Sequence, residues 1–395
     1  MSAKKYSFLF IAFLLMSLLG FGQEEDEIAD KLPDVIGPSP DVTALAKYID
    51  SPVNYAAGIP NIEIPIYTVN EGNLKVPISL SYHAGGIKVT ETASSVGLGW
   101  SLNAGGVVSR MIKHHPDDMA TIGYMHNEFY SKTQIPPGAG SEYFDQNDTE
   151  PDVFFFNFMG HSGKFQYYKD EESSKRRFFL LSESNIKIDF EKTGNEINKF
   201  ILTTPDGTKY YFGETIKRVP NDSIRKAIES TYTQYLTIAT GGGRSQLIPE
   251  PDPGNHVTAW HLLEIESVTG QMISLFYEDT EGHETSLESQ KVMMKKNNNC
   301  EISYSNNDFH IASTFSNKTH YGQRIKFIES TYQQIEFEYD SQNRLDFTGM
   351  QKLNKIKIKN NQTEGIAKEF VLDHQYIESD PLGPMDPDYS EFGND

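Results

Sequence analysis

From Asn61 to Tyr339 the apolar residues of this chain recur at every second position, in short runs closed by glycine, asparagine, aspartate or proline. That spacing puts one set of side chains on one face of an extended strand, whereas a helix would scatter them around its axis. Ile62, Ile64 and Ile66 alternate with Asn61, Glu63 and Pro65. After Asn70-Glu71-Gly72-Asn73 the pattern resumes through Val76, Ile78, Leu80 and Tyr82, so the two runs read as a hairpin with one buried face. Pro65 and Pro77 have no N–H to give a ladder, and each belongs at an edge or a bulge.

The same pattern recurs down the chain. Phe154-Phe155-Phe156-Asn157-Phe158 meets an expected turn at Gly160-His161-Ser162-Gly163 and returns through Phe165, Tyr167 and Tyr168. Phe200, Leu202 and Thr204 turn at Pro205-Asp206-Gly207 into Thr208, Tyr210 and Phe212. Leu263 and Ile265 precede Thr269-Gly270, followed by Ile273, Leu275 and Tyr277; Ile335, Phe337 and Tyr339 precede Asp340-Ser341-Gln342-Asn343 and Leu345. Strand pairs at such short spacing imply antiparallel sheets. The expected fold class is mostly β, with antiparallel hairpins forming curved sheets or sandwich-like layers and few short helices. Helix is expected over 41–48, with Asp41 as its N-cap, and in part of Asn221 to Leu236. Pro116 to Pro151 and Gln290 to Thr319, rich in turn residues, read as loops or boundaries.

Composition excludes several functions. A formal charge of −20 repels phosphate backbones and anionic lipid, so nucleic acid is not an expected partner. One cysteine, Cys300, rules out an internal disulfide framework and reads as an incidental thiol. Lys4 and Lys5 precede an apolar run from Phe8 to Leu19, too short for a ~30 Å hydrocarbon core, and Gly20-Phe21-Gly22 supplies small residues for cleavage near Gly22 to Gln23. The chain is therefore expected to be exported: secreted, periplasmic or on the cell surface, with no integral membrane segment after cleavage. No cysteine follows the apolar run to carry a lipid anchor. The expected organisation is a signal peptide (1–22), a linker (23–40), a β region (41–115), an acidic loop (116–150), a hairpin region (151–289), a further β region (290–377) and an acidic disordered tail (378–395).

The densest run of unusual residues is Tyr82-His83-Ala84-Gly85-Gly86-Ile87-Lys88-Val89, followed by Val96-Gly97-Leu98-Gly99-Trp100-Ser101-Leu102-Asn103-Ala104-Gly105-Gly106. Gly85-Gly86 and Gly105-Gly106 should mark tight turns or bulges around short strands that bury Val96, Leu98, Trp100 and Leu102. A dinucleotide fingerprint fails because Leu102 stands where its third glycine belongs, and no phosphate loop is present.

This string, running on to Arg110, resembles the N-terminal region of secreted RHS/YD-repeat proteins of the Bacteroidota. It is distantly similar to the opening region of plasmid-virulence and insecticidal toxin-complex proteins. Ile59 to Tyr67, Pro151 to Phe158 through Phe165, and Thr204 to Gly213 continue the resemblance in order, over about Ser39 to Tyr376. It implies a β-rich exported surface or toxin-associated protein whose repeats build a sheet or shell around cargo. Phe337-Glu338-Tyr339-Asp340-Ser341-Gln342-Asn343-Arg344-Leu345 is the one good YD-like unit, and repeat architectures need several to bury their faces. The implied partner is another protein, or the continuation of an RHS-type assembly.

Catalytic patterns fail by a residue or more. Gly160-His161-Ser162-Gly163-Lys164 resembles a nucleophile elbow, but Lys164 replaces the last glycine and the flanks read as strands. His283-Glu284-Thr285-Ser286-Leu287 lacks the second histidine of a zinc-protease helix and reads as solvated loop. His114-His115-Pro116-Asp117-Asp118 offers metal ligands, yet neighbours on an extended segment face opposite ways. Asp145, Asn147, Asp148, Glu150 and Asp152 offer oxygens to Ca²⁺, but Glu150 holds the place of the loop glycine, and a solvated acidic loop is the preferred reading. Trp100 and Trp260, sugar-stacking candidates, read as core. No catalytic, cofactor or metal residue is assigned. The expected function is a noncatalytic exported scaffold or interaction module. The alternative is a secreted carbohydrate-binding or carbohydrate-active protein, for which paired carboxylates remain available.

Overall fold

A computed structural model of the chain describes residues 39, 41, 60–88, 91–126, 147–169, 176–217, 223–241, 244–249, 254–294, 309–363 and 365–376. The expected signal peptide, nearly all of the linker, the 41–48 helix beyond Asp41, Asp145, Cys300 and the acidic tail lie outside these residues.

Strands β1 (Asn61–Glu71) and β2 (Leu74–His83) form the first hairpin, in register from Asn61 opposite His83 to Glu71 opposite Leu74. Val76 and Ile78 are buried, as their alternation requires. The ladder shifts register between Pro65 and Tyr67, a bulge beside the first proline. Pro77 lies beyond the reach of β3 (Trp100–Asn103), which pairs only with Ser79 to Tyr82. Neither proline is asked for a donor it lacks. These strands make a separate sheet of order β1-β2-β3.

A bend at Ala104-Gly105 carries the chain into β4 (Gly106–Met111), a member of an antiparallel sheet that has fifteen strands among the described residues. β4 pairs with β5 (Val153–Phe158), which returns as β6 (His161–Lys169). The turn between them is Met159-Gly160, with φ of 44° and 78°, rather than the expected Gly160 to Gly163. Two successive positive φ values match the twist of a tight hairpin, so Phe158 pairs directly with His161, and Ser162 and Gly163 become strand.

β7 (Arg176–Leu180) follows, then β8 (Lys187–Thr193), β9 (Glu196–Thr203) and β10 (Lys209–Phe212), the last two joined through Pro205-Asp206-Gly207 as expected. β11 (Ile228–Gly241) and β12 (Arg244–Pro249) form a hairpin, which corrects the helix expected within Asn221 to Leu236. From Ile228 on, threonines and tyrosines favour strand, and Ser230 to Tyr232 are paired on both sides, with β13 (Asn255–Glu266) and β15 (Phe309–Glu329). β14 (Met272–Met294) pairs with β15 along nearly its whole length. The segment Gln290 to Thr319, expected as loop, is therefore strand wherever it is described. Ladder bonds come from the main chain, so the polar side chains there do not prevent it. β16 (Gln333–Tyr339), β17 (Leu353–Asn360) and β18 (Ile366–Val371) complete the order β18-β17-β16-β15-β11-β13-β4-β5-β6-β7.

The core is rich in aromatic rings. Phe154, Phe156 and Phe158 point inward from β5 and meet Phe165, Phe178, Phe200, Phe212 and Trp260 in edge-on and tilted contacts. Trp260 is wholly buried, as expected, and its Nε1 donates to Ile197 O at 2.9 Å. Gly213, at φ +83°, lets the backbone pass this ring: a β-carbon there would stand 2.5 Å from both Trp260 Cδ1 and Asn198 O. In the glycine-rich segment Val96 is buried, while Leu98, Trp100 and Leu102 are only half-buried, because β3 is the outermost strand of the small sheet. Leu345, the apolar end of the YD-like unit, is 78% exposed, and Phe347 and Met350 occupy the core instead. Among the described residues no helix is long and apolar enough to cross a membrane.

Candidate functional site

Almost every residue of β13 from Thr258 onward is buried, so this strand is covered on both faces. Polar residues in such a strand need partners. Trp260 turns to the aromatic core, and His261, the next residue, projects the other way. Its Nε2 lies 2.8 Å from Glu229 Oε1 on β11. Glu229 is 2% exposed and also accepts Gln323 N at 3.2 Å. Burial opposes its charge, but the His261 hydrogen bond and charge outweigh that cost and hold the carboxyl below its ordinary range. The ionised Glu229 accepts a hydrogen bond from the Nε2–H of the imidazole.

His261 and Tyr277, with ring centroids 5.0 Å apart, line a cleft of about 310 Å³ between the small sheet and the large one. Glu63, Ser79 and Asn103 line it from the small sheet, and Gln323, Arg324 and Tyr339 from the large one. Asp41, read from the sequence as a helix cap, reaches the same cleft and accepts Ser95 N at 2.7 Å. Burial pushes its carboxyl above the ordinary carboxylate range. Glu63 accepts Ser79 Oγ at 2.6 Å. Arg324 Nε donates to Glu278 at 2.7 Å, its Nη1 donates to Gln351, and its guanidinium lies 4.5 Å from the centre of the Tyr339 ring. The phenols of Tyr277 and Tyr339 are driven well above their ordinary range, first by burial, and stay neutral.

A second polar group is sealed in the interior. Arg110 on β4, 1% exposed, donates from Nε to Val257 O at 2.8 Å and from Nη1 to Asp118 at 2.6 Å, with its guanidinium 5.4 Å from the Trp260 ring. Asp118 also accepts Ile197 N at 2.8 Å. Burial disfavours its charge, but Arg110 and that N–H prevail and hold it below the ordinary range. Asp117 and Asp152 each accept the other's main-chain N–H at 2.9 Å. Asp148 accepts Tyr124 N at 3.1 Å. Burial, with Asp152 nearby, pushes Asp148 up to about 8, and burial also raises Asp117, whose Oδ2 has no hydrogen-bond partner. These carboxylates tie loops to strands.

The sequence candidates are dispersed. Asp148 and Asp152 are buried rather than solvated, because main-chain N–H groups of residues 113, 117 and 124 converge on them. The rings of His114 and His115 stand 4.2 Å apart at the entrance to the turn that buries Asp117 and Asp118. Among the described residues no group of three or more His, Cys, Asp or Glu is arranged to hold a metal. His283 and Glu284 lie on β14 and not in a loop, with Glu284 3.6 Å from His320. His161 and Ser162 begin β6. Trp100 packs at the edge of the core, its ring centroid 5.1 Å from that of Tyr82. The sequence reading missed Glu229, His261, Tyr277 and Arg324 as a group. The usable signal was a histidine, His261, inside the strongly apolar run from Val257 to Ile265.

No family model and no curated protein matches the chain. Among solved structures it is similar to the TcdB2-TccC3-Cdc42 crystal structure, at 12% identity and a TM-score of 0.33, over 80% of this chain and 14% of that one. It is similar to TcdB2-TccC3 at 11% identity and a TM-score of 0.33, over 86% and 15% of the two chains. It is also similar to the Photorhabdus luminescens Tc holotoxin pore carrying a TccC3 mutation, at 12% identity and a TM-score of 0.32, over 81% and 13%. The chain spans about one seventh of the length of these chains. Likeness at this level assigns no role to any residue here.

Proposed function

We propose that this chain is an exported, noncatalytic β-sheet scaffold or interaction module, related to the N-terminal part of RHS/YD-repeat cell-surface or toxin-associated proteins. Its work is geometric: a large antiparallel sheet offers an edge to which a partner, or the continuation of the assembly, adds a strand. The observation that carries the reading is β18. Among the described residues it pairs only with β17, and it holds Ile366 and Val371 at 55% and 63% exposure. The exposed apolar side chains give an added strand surface to cover, while Lys368 and Glu369 on the same short strand disfavour indiscriminate edge pairing and select the partner by charge.

The test is site-specific photo-crosslinking from Lys368 in the full chain, expressed in cells that are then fractionated. The expected result is export and a crosslink to a YD-repeat-rich polypeptide, lost when Lys368 and Glu369 are replaced by proline. A cytoplasmic, partnerless monomer would overturn the proposal, as would hydrolysis of a glycan by the purified chain.

A further inference from the structure

The group sealed around Arg110 does not balance its charge. Asp117, Asp118, Asp148 and Asp152 are at most 4% exposed, and the cations buried with them among the described residues are Arg110 and Lys169, at 1% and 3%. Arg110 Nη1 reaches Asp118 at 2.6 Å and Asp152 at 3.9 Å. Lys169, on β6, donates from Nζ to Tyr124 O at 2.7 Å, lies 3.8 Å from the centre of the Tyr124 ring, and favours an ionised Asp148 by its charge. Four carboxylates against two cations would leave two negative charges in the interior without counter-charge, and keeping two protons costs far less. Asp117 Oδ2, wholly buried and without a hydrogen-bond partner, gains nothing by ionising. The remaining charged groups lie nearer solvent. Half-exposed Lys113 and Glu150 pair with each other at 3.9 Å, and exposed Arg176 and Lys192, beside His126, are screened. Burial pushes the Tyr124 phenol up to about 12 and raises that of Tyr167, so neither adds charge.

The cluster sits where a turn meets a hairpin. Residues 116–126 contribute Asp117 and Asp118 to it, and their Tyr124 O and Met125 O accept Lys169 and Arg176, which face each other across β6 and β7. Asp148 holds Tyr124 N, and Asp152 holds the N–H groups of Lys113 and Asp117. We propose that the cluster is a proton-held clasp: two retained protons keep the 116–126 turn closed on the β6–β7 hairpin, and their release as pH rises frees that end of the hairpin. The inference is independent of the scaffold reading. Burial raises the carboxyls of Asp117 and Asp152 and pushes that of Asp148 up to about 8. Opened to solvent, Asp148 returns to its ordinary 3.8. The closed form therefore has its full advantage below 3.8 and loses it as pH climbs to about 8. Over that window each proton released raises the opening equilibrium roughly tenfold per pH unit.

The experiment is hydrogen exchange of the full chain, read by mass spectrometry from about pH 5 to about pH 9 and corrected for the intrinsic pH dependence of exchange. The infrared band of protonated carboxyl groups is recorded alongside. Protection of β6, β7 and the 116–126 turn should fall roughly tenfold or more per pH unit up to about pH 8, while β13 keeps its protection. The protonated-carboxyl band should be present in the folded chain near about pH 7 and vanish on unfolding. Asp148→Asn, which keeps an acceptor for Tyr124 N, should remove one proton's share of the slope. Should that variant fail to fold, the infrared band and the exchange slope of the unaltered chain still decide the matter. The proposal is overturned if the folded chain lacks the protonated-carboxyl band at neutral pH, or if β6–β7 and β13 lose protection together. It is also overturned if added Ca²⁺ abolishes the band and raises protection, since the missing charge is then supplied by a metal and not by protons.

Discussion

Replacing Gly213 by alanine tests the packing at the crossing of β13 with the aromatic core. Gly213 has φ +83°, and its added β-carbon would meet Asn198 O and Trp260 Cδ1, each at 2.5 Å. The left-handed backbone costs an alanine about 1–2 kcal/mol. The second term is overpacking, about 1–3 kcal/mol, because the carbonyl belongs to the backbone and the indole is pinned by its bond to Ile197. The sum is roughly 2–5 kcal/mol. Gly160 supplies the control within the same chain: φ is +78°, and nothing lies within 4 Å of its built β-carbon. Gly160→Ala should therefore cost only the backbone term, about 1–2 kcal/mol. Urea unfolding monitored by tryptophan fluorescence measures both variants, and Gly213→Ala should also red-shift the emission as Trp260 is displaced. Equal unfolding midpoints for the two variants, with unchanged emission, would refute the claim that Gly213 is required by close packing.

Arg110→Met should destabilise the fold by about 3–5 kcal/mol, since it leaves Asp118 charged and buried without its partner; Arg110→Met with Asp118→Asn should recover part of that loss in the same assay. Asp148 is raised from 3.8 to about 8 in the folded chain, so its contribution to stability is complete below 3.8 and is withdrawn as pH climbs to about 8. The slope is at most about 1.4 kcal/mol per pH unit. Asp148→Asn should flatten the stability profile across that window, and a profile unchanged from the parent chain would contradict the assignment. Trp260→Phe should cost about 1–3 kcal/mol by leaving Ile197 O without its donor, whereas Trp100→Phe, at the half-buried edge, should cost less in denaturant titration.

The hairpins were legible because their information is local. Alternation in Val76 to Tyr82 and in Phe154 to Phe158 names the buried face, and a nearby turn sets the register. Even there, the turn at Met159-Gly160 was misplaced, because a methionine with positive φ leaves no mark in composition. The strand from Ile228 was hidden for a different reason: its neighbours, β13 and β15, lie far along the chain.

What the sequence by itself determined was the β class, the antiparallel pairing of adjacent strands and the burial of Trp260. What only the tertiary structure decided was which ribbons share a sheet and which polar groups meet. Arg110 finds Val257 across 147 positions, Asp118 finds Ile197 across 79, and His261 finds Glu229 across 32. A carboxylate is solvated or buried according to the main-chain donors and cations brought to it, and those arrive only when distant strands close around it.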